Sequence, residues 1–212
     1  MNILILGATG TFGTVLTEKL LKNTDDKITL FARHASEKYS TTEHTAVIDG
    51  DALKSEDLKN AIKNQDVVYC AISGGDLPKV AENIVAAMAE FGVKRLIFMG
   101  AVGIYNEIPE DIDPEDNVDN NPEQVPNRQA VDVVEASALN YTILRPGYLQ
   151  DGDENDYTLT IKGQAAKGYI TTIPSIVNLA AQIIYDSSLY SRESLSITKD
   201  MQKGLSENTK LG

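Results

Sequence analysis

A chain of 212 residues that is 42% hydrophobic can bury one sizeable core but is short for two independent domains. Its 31 acidic residues outnumber 19 basic ones, and the formal charge of −12 disfavours nucleic-acid phosphates and anionic membrane surfaces as general partners. The first apolar segment stops at Gly7, too short for a signal-peptide core, and no run approaches the roughly 18 apolar residues of a membrane span, so a cytoplasmic protein is expected.

Short apolar runs alternate with amphipathic stretches, the pattern of strand–helix–strand units around a parallel sheet covered on both faces. Ile3 to Leu6 reads as the first strand. A helix follows over Phe12 to Lys22, with Phe12, Val15, Leu16 and Leu20 on one stripe. Ile28 to Ala32 and Ala46 to Ile48 are the next strands, and a helix over Ser55 to Lys63 takes Ser55 as its N-cap. Val67 to Ile72 is the fourth strand; it carries the single cysteine, Cys70, which reads as a small core residue with no disulfide partner.

Pro78 opens a longer helix that ends at Gly92, and Arg95 to Met99 is the fifth strand. Residues 103–126 then break the rhythm with four prolines and eight acidic residues (Glu107, Glu110, Asp111, Asp113, Glu115, Asp116, Asp119, Glu123) and no basic one. They read as a long, mobile surface loop. Helical spacing returns with Ala130, Val133, Val134 and Ala138, Tyr141 to Leu144 forms a sixth strand, Ile176 to Ile184 another helix, and Ser194 to Thr198 a last strand. One α/β domain over 1–200 is expected, Rossmann-type and doubly wound, with a polar tail over 201–212.

The run Gly7-Ala8-Thr9-Gly10-Thr11-Phe12-Gly13 leaves a strand and opens a helix, which is the context a dinucleotide-binding loop requires. Gly7 permits the tight turn, Gly10 close approach of a pyrophosphate, and Gly13 close packing of the helix. Free N–H groups at the helix start then face the phosphates, and Thr9 and Thr11 can add hydroxyl donors. Twenty residues after Gly13 stands Arg33, where an NAD-binding chain carries an acid for the ribose 2′-hydroxyl. Arg33, with His34, Ser36 and Lys38 beside it, favours NADP(H) over NAD(H). Asp51 and Ala52 follow the third strand, where an adenine can rest; Ala71 and Ser73 end the fourth, where small residues let backbone pass the cofactor. His34 and His44 have no cluster of ligating partners, so no metal site is read.

These segments, with Gly92-Val93-Lys94-Arg95-Leu96-Ile97-Phe98, Gly103-Ile104-Tyr105 and Tyr141-Thr142-Ile143-Leu144-Arg145-Pro146-Gly147, resemble the atypical short-chain dehydrogenase/reductases, in particular the NmrA-like and flavin reductase/biliverdin reductase B-like group. The resemblance implies Asp51 at the adenine, Ser73 beside the cofactor ribose, and Pro146-Gly147 beside the nicotinamide. It also exposes a departure. Catalytic members of the superfamily use a serine after the fifth strand and a Tyr-x-x-x-Lys pair as acid and base. Here Gly100 and Ala101 follow the fifth strand, and none of the nine tyrosines has a lysine four residues on.

Such a site suits hydride transfer to a flavin, quinone or similar conjugated small-molecule acceptor, for which proximity and orientation suffice. The competing reading is a non-catalytic NADP(H) sensor with a protein partner. Tyr105 and Tyr148, just past strand ends, are the candidates for stacking on a planar substrate or donating a proton. A monomer or small homo-oligomer is expected.

Overall fold

The computed structural model describes residues 1–23, 25–153 and 155–200; the polar tail expected over 201–212 lies outside them. The chain runs β1 (Asn2–Leu6), α1 (Thr11–Asn23), β2 (Lys27–Ala32), β3 (Thr45–Asp49), α2 (Ser55–Ile62), β4 (Val67–Cys70), α3 (Leu77–Phe91) and β5 (Arg95–Met99). It continues with α4 (Val125–Ala136), β6 (Asn140–Pro146), β7 (Tyr148–Gln150), β8 (Thr158–Ile161), β9 (Ile170–Thr172), α5 (Ile173–Tyr185) and β10 (Glu193–Thr198).

Eight strands form one sheet in the order β3-β2-β1-β4-β5-β6-β10-β8, parallel throughout except for β8, which runs antiparallel to β10 at the edge. β7 and β9 pair in a separate parallel ribbon. The chain winds outward from β1 in both directions, so the carboxyl ends of β1 and β4 diverge at a topological switch point, the place where open α/β sheets bind ligands.

Alternation along each strand builds two cores. Leu4, Leu6, Val68, Cys70, Leu96, Phe98 and Ile143 face α2, α3 and α4, while Ile3, Ile5, Val67, Tyr69, Ile97 and Leu144 face α1 and α5. Both faces are buried, which is why these strands read as continuous apolar runs. Helix α3 ends where Gly92 takes a left-handed conformation (φ 71°), and the amide of Val93 donates to the Met88 carbonyl at 3.0 Å.

Three readings change. Lys54 holds the N-cap position of α2, so Ser55 is its first helical residue and caps nothing. Ala138 lies beyond the end of α4. The larger correction concerns residues 103–126, which fold onto the protein instead of ranging through solvent. Asn117 exchanges two hydrogen bonds with the backbone of Ile108, at 3.0 and 2.9 Å, and Val102, Ile108 and Ala166 close a small core of their own.

Glu107 is buried and forms an ion pair with Arg145, whose side chain is fully buried on β6. The guanidinium also donates to the carbonyls of Ser194 (3.3 Å) and Thr160 (3.4 Å) and lies 4.9 Å from the Tyr105 ring centre. Burial pulls the Arg145 guanidinium down to about 10, which leaves it protonated at neutral pH. Because the partner of Glu107 stands 38 residues away, the local charge imbalance hid it.

Removing one partner of a buried pair strands the other charge. Glu107→Ala is therefore expected to cost about 3–5 kcal/mol in urea unfolding. The apolar double replacement Glu107→Leu/Arg145→Met should recover most of that loss, because neither charge is then left buried alone.

Candidate functional site

The glycine loop is held from three sides. Gly7 is left-handed (φ 81°), its amide donates to the Phe31 carbonyl at 3.0 Å, and the amide of Gly10 closes a turn on the Gly7 carbonyl. A Cβ on Gly13 would stand 2.3 Å from the Gly7 oxygen, so only glycine lets α1 start this close to the turn. From above, the Tyr39 hydroxyl donates to the Ala8 carbonyl at 3.0 Å, and Lys38 donates to the Thr14 hydroxyl at 2.7 Å.

The carboxyl ends of β1 to β4 surround a cleft of about 380 Å³. Gly7, Thr9 and Gly10 form its first wall, and Arg33 and His34 rise from the end of β2. Asp51 and Ala52 follow β3, while Ala71 and Ser73 follow β4. Gly50 keeps the floor flat, since a Cβ there would strike the Phe31 ring at 2.3 Å. Thr11, Phe12 and Gly13 stand behind this surface: Thr11 opens α1, and Phe12 packs against the core.

Arg33 is exposed and has no acidic partner among the described residues. The turn after it is pinned by Asp49, which accepts from the Ser36 amide (2.8 Å) and the Ser36 hydroxyl (2.5 Å); those two bonds hold its carboxyl below the usual range. Ser36 and Lys38 thus have partners of their own and line no part of the cleft, contrary to their expected place near a phosphate. One Asp51 oxygen accepts from the Leu53 amide at 3.0 Å. The glycine cradle and the free amides at the start of α1 together fit a dinucleotide.

A second hollow of about 450 Å³ opens past the ends of β5 and β6 on the same sheet edge. Ala101, Val102, Pro146 and Gly147 line it together with Tyr148, Leu149, Tyr169, Asp116 and Gln124. The rings of Tyr148 and Tyr169 stack, with centroids 6.4 Å apart and 24° between planes. The Tyr169 hydroxyl donates to Asp116 Oδ2, and Asn121 donates to Oδ1, both at 2.5 Å. Burial and then the Asp116 carboxylate hold the Tyr169 phenol above its ordinary range.

Two glycines permit this arrangement. A Cβ on Gly147 would meet the Tyr169 carbonyl at 1.8 Å, and one on Gly103 (φ 94°) the Asp116 carbonyl at 2.3 Å. Both lie in segments that the sequence singles out, yet nothing in their spacing names the residues they admit.

Tyr105 does not join the site. Its hydroxyl donates to Glu135 (2.8 Å) and accepts from Ser194 (3.2 Å), its ring lies among Arg128, Arg145 and Lys162, and burial holds its phenol above the ordinary range. It lines neither hollow. Gly100 lines neither as well; a Cβ there would press on Ile143 and Val131 at 3.3 Å. Tyr148, by contrast, stands at the second hollow and is 61% exposed. Tyr39, Asp116 and Tyr169 are the residues that the sequence did not reveal. Among the described residues, no three His, Cys, Asp or Glu gather as a metal-ion site, and no helix is long and apolar enough to cross a membrane.

A doubly wound sheet with a glycine cradle at its switch point defines a Rossmann-type dinucleotide-binding protein. The NAD(P)H-binding family model matches residues 7–187, and the chain belongs to that family. A Rossmann-fold NAD(P)-binding family protein from Shigella flexneri is 36% identical, with 94% of each chain covered and a TM-score of 0.79. A short-chain dehydrogenase/reductase from Veillonella parvula, solved in complex with NADP, is 28% identical, with 94% of this chain and 95% of that one covered and a TM-score of 0.84. The uncharacterized sugar epimerase YhfK of Bacillus subtilis is 29% identical over 184 residues, 81% of this chain and 82% of its own.

The steric reading of the cradle has a direct consequence. Gly13→Val should weaken NADP⁺ binding, followed by fluorescence titration, by about tenfold or more, or about 1.4 kcal/mol. Tyr39→Phe, which removes one hydrogen bond to the loop and no bulk, should cost only about two- to fivefold.

Proposed function

We propose that this protein is an NADPH-dependent reductase of a flat, conjugated acceptor such as a flavin or quinone. The observation that carries this reading is the pairing of two hollows on one sheet edge: a glycine cradle with a free arginine, beside an apolar, tyrosine-lined hollow with no Ser/Tyr-x-x-x-Lys set.

Gly7, Thr9 and Gly10 would hold the pyrophosphate at the start of α1, Asp51 and Ala52 the adenine side, and Ala71 and Ser73 the neighbouring ribose. Arg33, without a counter-charge, is placed to take the 2′-phosphate, with His34 beside it; this favours NADP(H) over NAD(H), and the NADP complex of the Veillonella relative supports it. Pro146 and Gly147 would border the nicotinamide. The bound nicotinamide supplies the hydride.

What the chain adds is alignment of a planar acceptor along Tyr148 and Tyr169 and removal of water from its faces. Solvent supplies the proton, which a quinone or flavin accepts without a positioned acid. Epimerisation, named in the Bacillus relative, needs a proton donor and acceptor at the reacting carbon. Gly100 and Ala101 offer none, and Tyr105 is bound elsewhere.

Loss of NADPH absorbance with flavin and quinone panels tests the reading, and turnover should exceed background with at least one acceptor. NADPH binding with no turnover on any of them would overturn it in favour of a non-catalytic NADP(H) sensor. Arg33→Ala should raise the KM for NADPH by about tenfold or more while leaving that for NADH within about twofold.

A further inference from the structure

Resting on the reductase reading, we infer that the acceptor taken by the second hollow is an uncharged or cationic ring system, with no phosphate, sulfonate or carboxylate within the hollow. The observation is electrostatic. Among the described residues that wall the hollow the only charged side chain is Asp116; the others are apolar, aromatic or, for Gln124, a neutral amide.

Asp116 cannot easily turn its charge away. Both carboxylate oxygens accept, from Asn121 and from Tyr169. Its backbone is fixed as well, because the Gln124 amide donates to its carbonyl at 3.3 Å and Gly103 lets that carbonyl lie against the neighbouring turn. The same bond to Tyr169 sets the ring that stacks with Tyr148, so the aromatic platform and the negative charge form one unit.

Among the described residues no cation offsets it. The Arg145 guanidinium is buried beneath the edge and paired with Glu107. Lys199 is paired with Asp156 at 2.9 Å, and Lys167, though two residues before Tyr169, is exposed and contributes no wall. Asp113 adds a further negative charge near Tyr169. An anionic group entering here gives up hydration and meets only like charge, a combination that selects against a ligand more strongly than it favours any other.

The site is thereby divided. Arg33 receives the anionic cofactor at one end, and Asp116 refuses anions at the other, which keeps phosphate groups out of the second hollow.

Two matched pairs test this in the wild-type protein. With NADP⁺ present, riboflavin and FMN are titrated by flavin fluorescence; with NADPH, kcat/KM is compared for a naphthoquinone and its sulfonate. Riboflavin should bind at least about tenfold more tightly than FMN, and the plain quinone should lead its sulfonate by a similar factor. Asp116→Asn should narrow both ratios to within about threefold, while Tyr169→Phe, which keeps the charge, should leave them wide.

Equal affinity for riboflavin and FMN, failure of riboflavin to bind, or ratios untouched by Asp116→Asn would overturn the inference. Brisk turnover that ignores the sulfonate would overturn it too while sparing the reductase reading. Preferential riboflavin binding without any NADPH oxidation would support it and sink the reductase reading instead.

Discussion

The ion pair between Arg145 and Glu107 is the constraint on which the second hollow of this molecule depends. β6 delivers a long cation into the sheet's interior, and only a carboxylate arriving from outside can neutralise it there. Glu107 arrives on the stretch that follows β5, and its burial draws that stretch across the end of β6. Nη2 of the guanidinium donates to the carbonyls of Thr160 and Ser194, so the pair also ties β8 and β10 to the same point. Once the stretch is fixed, Ile108 and Asn117 lock its turn and Asp116 comes to rest facing Tyr169. The wall of the second hollow therefore descends from a charge buried next to Pro146 and Gly147, which line it.

The cofactor end depends on something different, the absence of side chains. Gly13 lets α1 begin against the turn, Gly50 leaves room for the Phe31 ring, and Gly7 supplies a left-handed residue at the corner. These contacts are backbone to backbone or backbone to core. The cradle is accordingly a property of the sheet and its first helix, steadied by Tyr39 from the segment after β2, whose turn Asp49 pins from the end of β3. The two ends of the site thus have independent physical origins: one is set by close packing of the parallel core, the other by a buried charge and the excursion it captures.

That difference decides what could be read from the sequence. The strands of the parallel sheet are buried on both faces and announce themselves as apolar runs, and Arg95 to Met99 is bounded correctly because Gly92 and Gly100 frame it. Glycines whose role is local, such as Gly7 and Gly92, are legible for the same reason. β7, β8 and β9 hold three or four residues each, too few for alternation to show. Glu107 and Asp116 count as surface acids in any local window, because their partners lie 38 and 53 residues downstream. Tyr105 and Tyr169 illustrate both directions of the error. The first follows a strand end and turns into the protein; the second sits in an undistinguished run and is brought to the edge by pairing of β9 with β7.

The same asymmetry bears on where function resides within this family. A nicotinamide site made by the core is common property of the fold and says little about what is reduced, oxidised or rearranged. The segments that can differ without disturbing that core are those after β5 and after β6, and here both are committed to the second hollow. Residues 103–124 contribute a fixed carboxylate and no acid for protonating a substrate carbon; residues 146–169 contribute proline, glycine and two stacked tyrosines. A chain that keeps the cradle and rebuilds these two segments changes its chemistry without changing its fold. The relatives' differing names, a short-chain dehydrogenase/reductase and a sugar epimerase, are compatible with one scaffold for that reason. For this chain the residues those two segments bring to the second hollow are Asp116, Tyr148 and Tyr169, and the proposed reductase reading rests on them.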